Sequence, residues 1–220
     1  PLQVSLTVGG TLDLLPDASL EAKGSGAVGS ISITAASATL SGSLNAGAAA
    51  TINTTGNLTL DGTASAGASF NANAGASGTG NVTLTGYADL KSLGTLSITA
   101  GATTGNISSL GSYLVTGEAS FTAAGGVLTH AEGLEISAGS VVARAKNIAL
   151  ASVRSGAIDV IASGTGSVNV ASVSNASVSA VAGGSITISS TANLTVSKAQ
   201  PASTGSVTLT AGGLLTLPTT

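Results

Sequence analysis

Residues able to do chemistry are sparse in this chain, and their spacing decides what they could do. Its 220 residues hold nine Asp plus Glu, six Lys plus Arg, one His and no Cys. His130, Glu132, Glu135, Arg144, Lys146, Arg154 and Asp159 form the densest group. His130, Glu132 and Glu135 are metal-ligating types. On a strand, however, His130 and Glu132 share a face, Glu135 points elsewhere, and no second His exists to complete a ligand set. The expectation is a solvated face with no metal and no cofactor. Glu135 and Arg154 sit about one repeat apart, which predicts an exposed ion pair between neighbouring repeats.

Catalysis needs titratable groups that converge in a cleft. Asp13, Asp17 and Glu21 form a local acidic group in a segment containing Pro16, without basic or aromatic company. Asp61, Asp89 and Lys91 read as isolated. A Ser-His-Asp triad would have to use His130, and no Gly-x-Ser-x-Gly elbow between a strand and a helix surrounds a nucleophile. Parallel β-helices do host polysaccharide lyases and glycoside hydrolases. Those reactions require paired carboxylates, or a basic residue with acidic metal ligands, in an aromatic-lined cleft. No enzyme is expected.

Composition excludes further classes. Only 7% of residues are charged and 2% aromatic, against roughly 25% charged in an average soluble domain. Ser, Thr, Asn and Gly must therefore cover the surface. Six Lys plus Arg make no footprint for nucleic acid. No apolar run reaches the ~18 residues of a spanning helix, and four aromatic residues cannot build the girdles of a membrane barrel. Neither nucleic acid nor membrane insertion is expected.

The elements that carry these residues are written in a repeat. A Gly or Ala, then a small polar residue, then apolar–polar–apolar recurs throughout the chain. The inward positions of this phrase are Ile31 and Ile33, Leu58 and Leu60, Val82 and Leu84, and Leu96 and Ile98. They continue with Ile148 and Leu150, Val168 and Val170, Ile186 and Ile188, Leu194 and Val196, and Val207 and Leu209. Alternation at period two makes each phrase a short strand with one buried face. Gly interrupts nearly every window that could form a helix.

Like phrases recur about every 20 residues, as from Ile148 to Val168 to Ile186 to Val207, and from Ile158 to Val178. One such interval is one coil of a parallel β-helix, an all-β solenoid. The 220 residues predict about 11 coils and a rod of some 50 Å at roughly 4.8 Å per coil. Alanine runs at residues 46–50 and 64–76 suit a thin section, and the rhythm weakens between residues 100 and 147. Residues 1–220 read as one repeat domain. Strand phrases run almost to both ends without capping elements, which predicts an interior stretch of a longer fibre.

Asn53, Asn57, Asn81, Asn106, Asn175 and Asn193 each begin an Asn-x-Ser/Thr sequon. The expected cause is the alternation of small polar residues on outward positions rather than glycosylation. Thr59, Thr83, Thr187, Thr195 and Thr208 occupy the outward slot of the phrase, interrupted by Ser32, Ser97 and Asn169. Such an irregular ladder argues against ice binding.

With these residues laid out, the chain resembles the filamentous haemagglutinin family of secreted bacterial exoproteins. The carriers are phrases such as Gly56-Asn57-Leu58-Thr59-Leu60 and Ala182-Gly183-Gly184-Ser185-Ile186-Thr187-Ile188, with Ala211-Gly212-Gly213-Leu214-Leu215 and residues 125–143. Autotransporter passengers and other β-helical adhesins share this repeat style. The resemblance implies a right-handed parallel β-helical fibre, exported through an outer-membrane partner to the bacterial cell surface, where such fibres act as adhesins or stalks. No Arg-Gly-Asp triplet is present. The expected function is a structural and adhesive shaft with host glycans or receptors as partners. A subunit that stacks on copies of itself into a filament is the alternative.

Overall fold

The computed structural model describes residues 2–23, 29–75, 78–85, 89–132, 134–174 and 176–218. Every pairing between strands among these residues is parallel, and no helix occurs. The protein is a β-solenoid whose inward residues stack in three columns, one for each face of the coil. On the first face Val4, Ile31, Ala50, Phe70, Leu96, Ala119, Val141, Ile158, Val178 and Val196 follow one another. The second runs Leu12, Ala38, Leu58, Val82, Ile107, Leu128, Ile148, Val168, Ile186 and Val207. On the third, Leu20, Leu44, Ala64, Leu90, Tyr113, Ile136, Val153 and Val173 stack in the same way.

This makes about 9 turns where the spacing of phrases predicts about 11. The step from Val4 to Ile31 takes 27 residues and that from Phe70 to Leu96 takes 26, while Val141 to Ile158 takes 17. Nine steps of roughly 4.8 Å give a stack of about 43 Å. The C-terminal intervals, Ile148 to Val168 to Ile186 to Val207 and Ile158 to Val178, are each one coil as the spacing predicts.

The phrase marks a face as much as a coil. Gly29-Ser30-Ile31 and Gly94-Thr95-Leu96 open strands of the first face, whereas the phrases at Leu58, Val82, Val168, Ile186 and Val207 open the second. Each part has a mechanical reason. At the second-face corner a Cβ on Gly166 would stand 1.4 Å from the Lys146 carbonyl oxygen, and one on Gly80 would stand 2.2 Å from that of Gly56. At these two positions a side chain would collide with the preceding coil's backbone, whereas Ala36 and Lys146 hold the same corner on other coils.

The polar residue that follows keeps the corner's backbone bonded. Asn57 Oδ1 accepts the backbone N–H of Asn81 (3.0 Å), Asn81 Oδ1 that of Asn106 (2.8 Å), and Asn106 Oδ1 that of Val127 (2.8 Å). Asn147 resumes the pattern with Ser167, and the serine hydroxyls of Ser167 and Ser185 continue it to Ser206. Corner amides would otherwise lack a partner in the sheet.

Sixteen of the eighteen inward residues named from the phrase are buried at 3% exposure or less. Val207 is 39% exposed and Leu209 is half-buried, because among the described residues no further second-face coil stacks beyond theirs. Between residues 100 and 147 the rhythm is lost because two long strands, Ser112–His130 and Ile136–Leu150, run through the corners without a break. They turn at irregularities between Val115 and Glu118 and between Ala123 and Val127. In the alanine runs Ala46, Ala50, Ala64, Ala66, Ala72 and Ala74 are buried while Ala48, Ala49 and Ala68 are not; Phe70 stacks on Ala50, and Ala46 on Ala66. Ala76 lies outside the described residues.

Candidate binding face and a polar cluster in the core

The outward positions of the first face form the most regular polar surface of the protein. Ser5, Ser32, Thr51, Asn71, Ser97 and Ser120 make one column across six coils. Thr7, Thr34, Asn53, Asn73, Thr99 and Thr122 make the column beside it. Coil stacking sets about 4.8 Å between rows, and alternate residues of a strand stand about 6.7 Å apart. All twelve side chains are exposed or half-buried. Asn73 Nδ2 donates to Asn53 Oδ1 at 2.9 Å, an amide ladder of the type that stacked identical residues build. The array ends where Ser120 meets Val142 and Thr122 meets Arg144.

The threonines expected in one slot divide between faces. Thr59, Thr83, Thr187 and Thr208 do share a second-face column, with Thr39, Ser108, Thr129, Ala149 and Asn169. Thr195 pairs with Ser177 instead, and Ser32 and Ser97 belong to the first-face array.

Acidic and basic residues meet in pairs at the surface. Glu135 and Arg154 form the expected ion pair between coils, Oε1 to Nε 3.3 Å, at 39% and 61% side-chain exposure. Arg144 and Asp159 make a second, 3.3 Å apart, and Asp159 also accepts from Ser179 at 3.0 Å. Two readings need correction. Glu21 has basic company in Lys23, 3.1 Å away, and this contact holds its carboxyl below the usual carboxylate range. Asp89 and Lys91 are joined to each other at 3.0 Å, and Asp61 accepts a hydrogen bond from Thr85. Within a strand, residues two apart lie on the same face, which accounts for Asp89 and Lys91, and Lys23 directly follows the strand Ser19–Ala22 that holds Glu21.

His130 is the larger correction. It lies in the core at 4% exposure, not on a solvated face, while Glu132 is exposed beyond the strand end. Leu128 and His130 share parity, so the strand that buries one buries the other. The imidazole Nε2 lies 3.3 Å from the Gly111 carbonyl oxygen, and Nδ1 has no partner. Burial pushes its pKa down. Tyr113 packs beside it, ring centroids 5.9 Å apart, and meets Phe121 edge-on at 5.4 Å. The Tyr113 hydroxyl bonds Ser109 Oγ, and burial drives the phenol pKa strongly upward. Among the described residues no three His, Asp or Glu side chains gather as a metal site.

A set of buried hydroxyls was not foreseen from the sequence. Thr54, Ser92, Ser109 and Ser190 take inward positions at strand ends, Ser155 takes one within the strand Val153–Ala162, and all five bond nearby backbone. Thr54 Oγ1 donates to Gly56 O at 2.9 Å, Ser92 Oγ to Thr95 O at 2.9 Å, and Ser155 Oγ to Ala157 O at 2.8 Å. The available signal is an apolar-x-Ser/Thr-x-Gly run, as in Ile52-x-Thr54-x-Gly56, Leu90-x-Ser92-x-Gly94 and Ile107-x-Ser109-x-Gly111.

The sequon asparagines are engaged in the stack. Asn57, Asn81 and Asn106 form the corner ladder, Asn193 Oδ1 accepts Leu214 N–H at 2.9 Å, and Asn53 bonds Asn73. Asn175 lies outside the described residues. Protein-family models, curated proteins and solved structures yield no match to this chain.

Proposed function

We propose that this chain is a rigid, adhesive shaft segment of a secreted bacterial surface fibre, with no catalytic role. The observation that carries the reading is the regular stack itself. Its nearest-neighbour packing lets length grow without a larger core, and it presents an uncharged array of twelve Ser, Thr and Asn side chains. A β-solenoid of this kind is compatible with a structural or adhesive repeat protein.

The mechanism is geometric. Hydroxyl and amide groups in rows present both donors and acceptors, which suits sugar hydroxyls on a host glycan. Each contact is weak, and affinity comes from many engaged together along a rigid support. The repeat style supports export through an outer-membrane partner, with the fibre displayed outside the cell. Antibody raised against the array and applied to intact cells tests the reading. Surface labelling that is lost after external protease supports it, and labelling only after the cells are broken overturns it.

A further inference from the structure

One core column contains two polar residues in a row. It is aliphatic from Leu14 through Leu40, Leu60 and Leu84, then holds Ser109 and His130, and is aliphatic again from Leu150 to Leu209. The Ile107–Leu128 step that brings Ser109 to His130 is the fifth of the nine steps on its face, the middle of the stack.

The surroundings of His130 suit only a neutral ring. Nε2–H donates to Gly111 O, so Nδ1 is a bare acceptor with no donor. From the preceding coil it faces Ser109, whose hydroxyl is bonded to the Tyr113 hydroxyl, and from its own strand it faces the Tyr113 ring. From the following coil the pairing of Thr129 with Ala149 brings Leu150, while Arg144 and Lys146 of that strand are exposed. In the turn beyond, Glu132 is exposed and Glu135 is held by Arg154. Among the described residues no carboxylate pairs with the imidazole. A proton on Nδ1 would put a charged donor into a buried position where it has no hydrogen-bond partner.

We propose that His130 makes the middle of the solenoid an acid-sensitive joint: protonation of its ring opens the seam between the Ser109–Gly111 corner and the His130 coil, while the seams on either side stay closed. The inference rests on the fold and is independent of the adhesive reading. Burial disfavours the imidazolium, so the opened state binds the proton more tightly than the closed one. Stability of this seam is therefore full above an ordinary histidine pKa of about 6.5 and falls as the pH drops below it. The loss levels off once the closed state also protonates.

The chain has one histidine, so its imidazole gives a single NMR titration. The expected result is a closed-state pKa below that of a free histidine. In hydrogen exchange corrected for intrinsic rates, amides of residues 107–115 and 127–132 lose up to about fivefold in protection between pH 6.5 and 5.5, the ceiling for one proton and an opened-state pKa of about 6.5. Amides of Ile186–Ser190 keep theirs. His130→Leu, which restores the aliphatic column, removes the excess loss. A pKa at or above the free value, equal losses in all coils, or the same pH dependence in His130→Leu each overturn the proposal. If His130→Leu fails to fold, the imidazole titration of the unmodified chain decides alone.

Discussion

Replacing Asn81 by Ala isolates what the corner ladder contributes. Asn81 Oδ1 accepts from the Asn106 backbone N–H at 2.8 Å and from Asn106 Nδ2 at 3.3 Å, and Asn81 Nδ2 donates to Asn57 Oδ1 at 3.3 Å. The substitution removes all three. A net hydrogen bond contributes about 0.5–1.5 kcal/mol, and water reaches this exposed corner and replaces part of the loss. The expected cost is about 1–2 kcal/mol, read as a fall in urea midpoint at unchanged slope. For a chain of this length that corresponds to about 2–8 °C in Tm. Asn81→Ser retains a shorter acceptor, as Ser167 and Ser185 do further along, and should cost about half as much. Thr83→Ala deletes the same sequon without touching the ladder, so its effect should stay below about 0.5 kcal/mol. If Asn81→Ala is neutral, or Thr83→Ala costs as much, the ladder does not hold the corner and the reasoning fails.

Phe70 stacks between Ala50 and Leu96, and Phe70→Ala leaves a space that small neighbours cannot close; calorimetry should show a loss of about 3–5 kcal/mol. Exchanging the charges of Glu135 and Arg154 together keeps an exposed pair worth about 0–1 kcal/mol, so Tm should hardly move, and a large drop would contradict their exposure. Tyr113→Phe removes the side-chain partner of the buried Ser109 hydroxyl, leaving it only a long contact from the Gly111 N–H, and should cost about 1–3 kcal/mol in denaturant unfolding. Gly166→Ala drives a Cβ into the Lys146 carbonyl and should destabilise the chain well beyond a surface Gly→Ala change, as measured by Tm.

The buried columns were legible because alternation over three or four residues fixes parity, and parity alone decides which side chains stack inside. Coil length was less legible. The same phrase opens strands on two faces, so the interval between neighbouring phrases is not always a full coil: Ile31 is followed in its column by Ala50, not by Leu58. Glu132 and Glu135 give the segment of His130 the look of a charged surface, although the parity of His130 with Leu128 points inward. The corner hydroxyls carry little signal in the sequence because Ser and Thr are everywhere in this chain. Only their place at the last inward position before a corner separates Thr54, Ser92 and Ser109 from dozens of solvent-facing relatives. The Glu135–Arg154 contact was readable because a charge pair one coil apart has few competing partners in so neutral a sequence.

Electron microscopy of the protein taken from its native cell surface, together with its intact mass, decides between a fibre shaft and a stacking subunit. A shaft segment of a surface fibre should be found as one very large chain in a thin rod, with a repeat along its axis of about 4.8 Å per coil and a length fixed by the number of coils. Chains near 20.5 kDa stacked into filaments of variable length would contradict it and would put the function in polymerisation itself.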